Sequence, residues 1–419
     1  MTPFFPSTSD EDLGDQADVY RVMIVDDSAF IRGAISRALE GDPALIIAAS
    51  VSNGDMAIKA LTRNPVDVIV LDIEMPVMDG LTALPKLKEI DPAVQVIMAS
   101  TLTQKNAEIS LRAMSLGATD YIPKPSTGHE VMNADEFKRE LVAKVKALGA
   151  LARRSGVRMP IETARTARPT TAAPAAKTPV AATAKPLEKK PFDKQTPAET
   201  PRFVRSVPSP STLQKKEVVL RKEPIQRPDI IAIGSSTGGP QALFRVLKDM
   251  GPGLPQPVVI TQHMPPAFTS ILADHITRQC HVPCIEAKAG DVLEAGHYYV
   301  APGDFHMLID SQGQGYTVRL VKDPPENFCR PSVDPMLRSL VPHFGKRILT
   351  VILTGMGQDG MRGGELIVKA GGSVIAQDEP TSVVWGMPGA VAMAGLCSAV
   401  LPIGDIGGFV RQNAMRPRT

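Results

Sequence analysis

Short apolar runs recur through residues 21–149, each followed by a stretch with helical spacing. "RVMIV", "LIIAA", "DVIVL", "QVIMA" and "TDYI" are too continuously apolar for one-sided sheets and read as strands buried on both faces. Between them "FIRGAISRALE", "DMAIKALTR", "LTALPKLKEI" and "NAEISLRAMSLG" repeat apolar positions every three or four residues, and "ADEFKRELVAKVKAL" closes the set. Five strand–helix units predict a doubly wound parallel sheet over residues 20–149. From 150 to 228 the pattern is lost: "ARTARPTTAAPAAKTPVAATAKPLEKKPF" has a proline every few residues and almost nothing to bury. Such a stretch cannot offset the entropy of ordering, so a disordered linker is expected there. Residues 229–415 resume the rhythm with buried strands "IIAIG", "VVIT", "ILTVIL" and "GGSVIA" and helical stretches such as "PQALFRVLKDM" and "AFTSILADHITRQ". Around 297–322, "HYYVAPGDFHMLI" and "YTVRLVKD" read as a β-hairpin set into the larger sheet. The fold class expected is α/β, with two doubly wound parallel-sheet domains.

Composition changes this picture mainly through charge. The chain of 419 residues carries a net charge of +2 that hides an asymmetry. Lys and Arg against Asp and Glu count 14 to 22 over residues 1–150, 17 to 6 over 151–228, and 15 to 16 over 229–419. The basic surplus is confined to the linker, so neither domain reads as a nucleic-acid binder. A DNA-binding output domain would need a basic helix-turn-helix in the last part, which is neither basic nor all-helical. The four cysteines are no disulfide framework and fit a reducing compartment. "QCHVPC" brings Cys280, His281 and Cys284 together, but no second pair completes a zinc spacing. The N-terminal stretch is acidic without an apolar h-region, and no apolar run spans a bilayer, so a cytoplasmic protein that is not membrane-inserted is expected.

In open α/β sheets chemistry gathers at the carboxyl ends of strands. In the first domain those ends carry Asp26 and Asp27, then Asp72, then Ser100, then Lys124. Each alone is an ordinary cap or turn residue. Together, three carboxylates at one edge repel unless a hard cation such as Mg²⁺ sits among them, and a lysine and a hydroxyl could hold an added phosphoryl group. "VDDS", "LDIEMPVMDG", "MAST" and "YIPKP" resemble the motifs of response-regulator receiver domains over essentially all of residues 20–149. The resemblance implies that Asp72 is the phosphoacceptor, with Asp26, Asp27 and Asp72 binding Mg²⁺. It further implies that Ser100 and Lys124 contact the phosphoryl group and that Tyr121 is the aromatic that repositions on activation.

In the second domain "IAIGSSTGGP" ends a strand on hydroxyls boxed by glycines. Gly234 to Gly238 fits a G-x-S-x-G elbow exposing Ser236, although phosphate-cradling loops and plain turns look much the same. A serine nucleophile needs a base and an orienter. "VVITQH" delivers His263 to the end of the next strand, while the other six histidines are less well placed. "TVILTGMGQDG" ends a further strand in a loop with Asp359, whose main chain near Met356 could supply an oxyanion hole. Plain alternatives are a capping histidine and a helix-starting aspartate. The order Ser, His, Asp excludes an α/β-hydrolase, whose histidine comes last. "IGSSTGG", "TQHMPP", "APGDFHM", "RPSVD", "LTGMGQDG" and "GMPGA" instead resemble the chemotaxis protein-glutamate methylesterase (CheB) family, which also carries a receiver. That resemblance assigns the catalytic roles to Ser236, His263 and Asp359, with Thr237 beside the nucleophile and no cofactor for the esterase. It implies a Rossmann-like methylesterase domain with a hairpin insert, and a linker longer than in the best-known members. The function implied is phosphorylation-activated demethylation of receptor glutamates, with glutamine deamidation by the same acyl chemistry. Partners implied are methyl-accepting chemotaxis receptors and a histidine kinase as phosphoryl donor. A catalytically dead receptor adaptor is the competing reading, opposed by the intact serine, histidine and aspartate.

Overall fold

The structure, a computed structural model, describes residues 19–101, 103–124, 134–154, 218–223, 225–313 and 315–417. The first domain runs β1 (Tyr20–Val25), α1 (Ala29–Leu39), β2 (Leu45–Val51), α2 (Gly54–Arg63), β3 (Val68–Asp72) and α3 (Gly80–Ile90). It continues with β4 (Gln95–Ser100), α4 (Gln104–Ser115), β5 (Asp120–Pro123) and α5 (Ala134–Arg154). Its strands are all parallel in the order β2-β1-β3-β4-β5. Ser28, Asn53, Asp79 and Thr103 each accept a hydrogen bond from an amide in the first turn of the following helix, which fixes where α1 to α4 begin.

The second domain begins with β6 (Ile230–Ser235), α6 (Gly239–Met250), β7 (Val258–Gln262), α7 (Pro266–Cys280), β8 (Cys284–Glu286) and β9 (Tyr298–Val300). Next come β10 (His306–Gln312), β11 (Gly315–Val321), α8 (Val333–Phe344), β12 (Ile348–Ile352) and α9 (Met361–Lys369). It closes with β13 (Ser373–Gln377), α10 (Met387–Met393), β14 (Cys397–Leu401) and α11 (Ile403–Ala414). Seven parallel strands form one sheet in the order β14-β13-β12-β6-β7-β9-β8. Two parallel sheets, one per domain, bear out the α/β class.

The hairpin differs from expectation. β9 joins the large sheet, but β10 and β11 form a separate antiparallel ribbon, with one isolated bridge from Thr317 of β11 to Val292. Met307, Ile309 and Val318 turn one face of this ribbon onto Met336, Leu337 and Leu340 of α8, so its apolar side is covered by a helix instead of by sheet neighbours. The stretch read as linker also differs at its ends. Residues 155–217 lie outside those described, but α5 runs on to Arg154 and residues 218–228 lie against the second domain. There Val218 packs on the core, the Arg221 amide donates to Cys397 O at 2.9 Å, and Gln256 Nε2 donates to Pro228 O at 2.9 Å.

The two domains share an apolar seam. The ring of Tyr121 at β5 stacks on Phe268 of α7, with centroids 4.4 Å apart and planes 15° from parallel. Gln241 of α6 donates to the carbonyls of Met114 and Ala118 in the first domain. Both polar links end on backbone carbonyls at and just beyond the C-terminus of α4, where carbonyls lack helical partners of their own.

Candidate active site and receiver pocket

β12, β6 and β7 are adjacent in the large sheet, and their carboxyl ends carry Asp359, Ser236 and His263. The chain reverses its direction of winding between β6 and β12, which opens a crevice at that edge. Ser236 sits on the turn between β6 and α6. Gly238 there has φ +73°, and a Cβ on it would meet Val383 at 2.6 Å, so only glycine suits the turn. Ser235 is fully buried, donating its hydroxyl to Gln262 Oε1 at 2.6 Å. The same Gln262 donates through Nε2 to Ser236 O at 2.9 Å, and His263 N donates to Ser235 O at 3.1 Å. Of the two serines, Ser236 is thus the one free to face the crevice.

Asp359 is 1% exposed and accepts from His263 Nε2 at 2.7 Å. Its remaining lone pairs take Ser332 Oγ (2.8 Å), Asn327 Nδ2 (2.9 Å) and the amides of Val333 (2.6 Å), Asp334 (3.0 Å) and Gly360 (2.9 Å). Val333 and Asp334 are the first residues of α8, so a carboxylate from another loop caps this helix. That explains why Ser332, placed as the N-cap, makes no cap bond itself: its hydroxyl goes to Asp359. Burial alone would raise the pKa of Asp359, but His263 and these donors hold it below the ordinary carboxylate value. Asp334 behind it is pushed the other way, by burial and by the charge on Asp359. Burial pulls the His263 imidazole down, yet Cys329 and Asp359 outweigh it and push it up to about 10. Cys329 Sγ lies 3.2 Å from His263 Nδ1.

The amides of Met356 and Thr237 have no hydrogen-bond partner among the described residues, and they lie in the loops that follow β12 and β6. Sequence reasoning singled out Ser236, His263, Asp359, Thr237 and Met356, and the structure brings them to one edge. It missed Gln262, Asn327, Ser332, Cys329 and Asp334. The signal for two of these lay in "RPSVD", a helix start whose serine and aspartate had no assigned partner.

In the first domain Asp26, Asp27 and Asp72 place one oxygen each within 4.8 Å of one another. Lys124 Nζ bridges Asp26 Oδ2 (2.8 Å) and Asp72 Oδ1 (2.7 Å). Asp72 Oδ2 is buried with no hydrogen-bond partner among the described residues. Burial, opposed by Lys124 and reinforced by Asp26, raises Asp72 to about 6. Ser100 is buried at the end of β4 with Ser110 Oγ donating to it at 3.2 Å. Tyr121 is buried against Phe268.

The family model for the response regulator receiver domain matches residues 22–135, and that for CheB methylesterase matches residues 231–410. A protein-glutamate methylesterase/protein-glutamine glutaminase of Rhodospirillum centenum is 59% identical over 403 residues, covering 96% of this chain and 95% of its own. The chain belongs to the protein-glutamate methylesterase/protein-glutamine glutaminase family. A relative with the same name from Azospirillum brasilense is 54% identical over 95% of this chain and 94% of its own. The Thermotoga maritima CheB methylesterase catalytic domain is 38% identical, with a TM-score of 0.43, over 44% of this chain and 98% of its own. In this family the receiver implies control by phosphorylation, which is typically Mg²⁺-dependent. No helix among the described residues is long and apolar enough to cross a membrane.

Proposed function

We propose that Ser236, His263 and Asp359 carry the family reaction, with Ser236 as nucleophile. The chain is a phosphorylation-activated hydrolase of protein glutamate methyl esters and glutamine amides, acting in chemotaxis adaptation. The observation that supports the residue assignment best is the buried Asp359 on His263 at 2.7 Å, beside a serine elbow on the neighbouring strand. Ser236 Oγ attacks the ester carbonyl as His263 takes its proton. The Met356 and Thr237 amides stabilise the oxyanion. Collapse expels methanol, or ammonia from an amide, with the proton returned by His263, and water then hydrolyses the acyl-enzyme. Asp359 stays ionised throughout and keeps the imidazole oriented. Substrates are cytoplasmic helical segments of chemoreceptors, and the phosphoryl donor is a chemotaxis histidine kinase.

Asp72 accepts the phosphoryl group on Oδ2, the buried oxygen without a partner. Asp26, Asp27 and Asp72 suit a hard, six-coordinate Mg²⁺ that keeps some of its water. Bound there, the ion neutralises charge developing on the phosphoryl oxygens. Ser100 and Lys124 flank the phosphoryl group, and Tyr121 links the pocket to Phe268.

The test is methanol release from methylated receptor membranes. Ser236→Ala should lower kcat by about 10⁶, since members of such a triad act as a unit. Ser235→Ala, whose hydroxyl only braces Gln262, should keep kcat within about tenfold and lose mainly stability. The reverse pattern would refute the assignment.

A further inference from the structure

His263 has two ring nitrogens, and in this structure both are engaged. Nε2 meets Asp359 Oδ2 at 2.7 Å and Nδ1 meets Cys329 Sγ at 3.2 Å. Ser236 Oγ makes no hydrogen bond among the described residues. A base whose second nitrogen is occupied cannot take the serine proton. Something must displace the Cys329 sulfur before the enzyme turns over.

The loop that carries Cys329 is tied on two sides. Within its own domain, Asn327 Nδ2 donates to Asp359 and to Asp334, and the Cys329 amide donates to Glu326 O at 2.9 Å. On the other side Phe328, 74% exposed, lies under the guanidinium of Arg139 from receiver helix α5, 4.4 Å from the ring centroid. Asn327 and Phe328 have φ +52° and +63°, a region that Phe rarely adopts and that persists only where surrounding contacts impose it. The cation–π contact is one of these contacts, so the receiver helps to hold this loop.

We infer that Cys329 is a positioning residue that competes with Ser236 for His263, and that the docked receiver, through Arg139 on Phe328, keeps the Cys329 sulfur on the imidazole. The inference rests on the Ser236–His263–Asp359 reading. It gives the docked receiver a direct hold on catalysis: the base is kept in a form that cannot activate the nucleophile. The groups facing His263 are Asp359 from the β12 loop and Cys329 from the loop before α8. Asp334 of α8 stands behind Asp359. Removing Cys329 takes away one of the two influences that hold the imidazole in its protonated form. The neutral base then forms at lower pH.

The experiment uses the full chain with and without acetyl phosphate, following methanol release against pH. In unphosphorylated Cys329→Ala the acid limb should move down by at least about one pH unit, tenfold in neutral base at fixed pH. Basal release near neutrality should rise accordingly, while the phosphorylated variant stays within about twofold of phosphorylated wild type. Arg139→Ala should move the unphosphorylated limb in the same direction. A merely structural cysteine would lower both states together and leave the limb in place, and that result overturns the inference. Ser236→Ala separates the two claims. If it still releases methanol, the triad reading has failed. In that same inactive chain, the ¹⁵N-imidazole titration of His263 should fall by about one unit or more when Cys329→Ala is added, and an unchanged titration refutes the contact without reference to turnover.

Discussion

Each residue at the two sites is defined by what burial does to its charge. Asp359 and Asp72 are both almost fully buried carboxylates, yet their pKa values move in opposite directions. Asp359 has six donors around it and stays ionised; Asp72 has Lys124 and a weak amide contact at 3.4 Å, and rises to about 6. A carboxylate raised in the folded state carries a penalty when ionised. That penalty is present above pH 6 and is relieved as pH falls through 6 toward the unfolded value. A bound cation relieves it as well, so protons and Mg²⁺ compete for Asp72. The Mg²⁺-induced rise in melting temperature should therefore be small at about pH 5 and several-fold larger at about pH 7. Asp72→Asn should flatten that dependence; an equal Mg²⁺ effect at both pH values would show that Asp72 is not a ligand. The acidic edge was legible because each of its aspartates follows an apolar run. Cys329 was not, because its partner lies 66 positions away in sequence and no pattern marks that approach.

At the scale of elements, parallel strands announced themselves as continuous apolar runs, and strand ends could be aligned by their first polar residue. β14 escaped because "CSAVL" is short and interrupted by serine, and β8 because three residues carry no period. The sheet partner of the hairpin was unreadable for another reason: alternation predicts one covered face but not whether a sheet or a helix covers it. Glycines are the more exacting elements of the site. A Cβ on Gly355 would stand 2.4 Å from Met387 Sδ and 2.8 Å from Ser236 Cβ. The methionine end can yield, but the serine can yield only by moving the nucleophile. Gly355→Ala should therefore lower kcat by about 10², the cost of an ångström-scale misplacement, while losing no more than about 3 kcal/mol of stability. Circular dichroism and urea titration beside the rate measurement distinguish this from global unfolding. A variant with wild-type kcat would mean that the turn has slack.

At the scale of the whole molecule, the receiver touches the catalytic domain at several elements around the crevice. Tyr121 lies on α7, Gln241 reaches out from the first turns of α6, Arg139 covers Phe328, and Val383, which closes over Gly238, packs against the receiver core around α5. Separation of the domains should then raise basal activity, provided the catalytic domain keeps its own edge. That edge includes residues 218–228. Val218 fills part of the core and Ile225 packs against another cluster. Backbone groups of Arg221, Ile225 and Pro228 meet Cys397, Arg416 and Gln256. A chain beginning at 229 loses two apolar contacts, worth about 1–3 kcal/mol each when buried, and leaves Gln256 Nε2 with one partner fewer in a site 2% exposed. A chain of residues 217–419 should release methanol several-fold faster than the unphosphorylated full-length protein at equal concentration. A chain of residues 229–419 should show the same release per folded molecule but melt lower by about 5 °C or more, as a loss of a few kcal/mol from a domain of this size requires. Equal melting temperatures would mean that the 218–228 segment adds nothing to the fold. Equal rates for 217–419 and the unphosphorylated full-length chain would mean that the docked receiver leaves the crevice open to substrate.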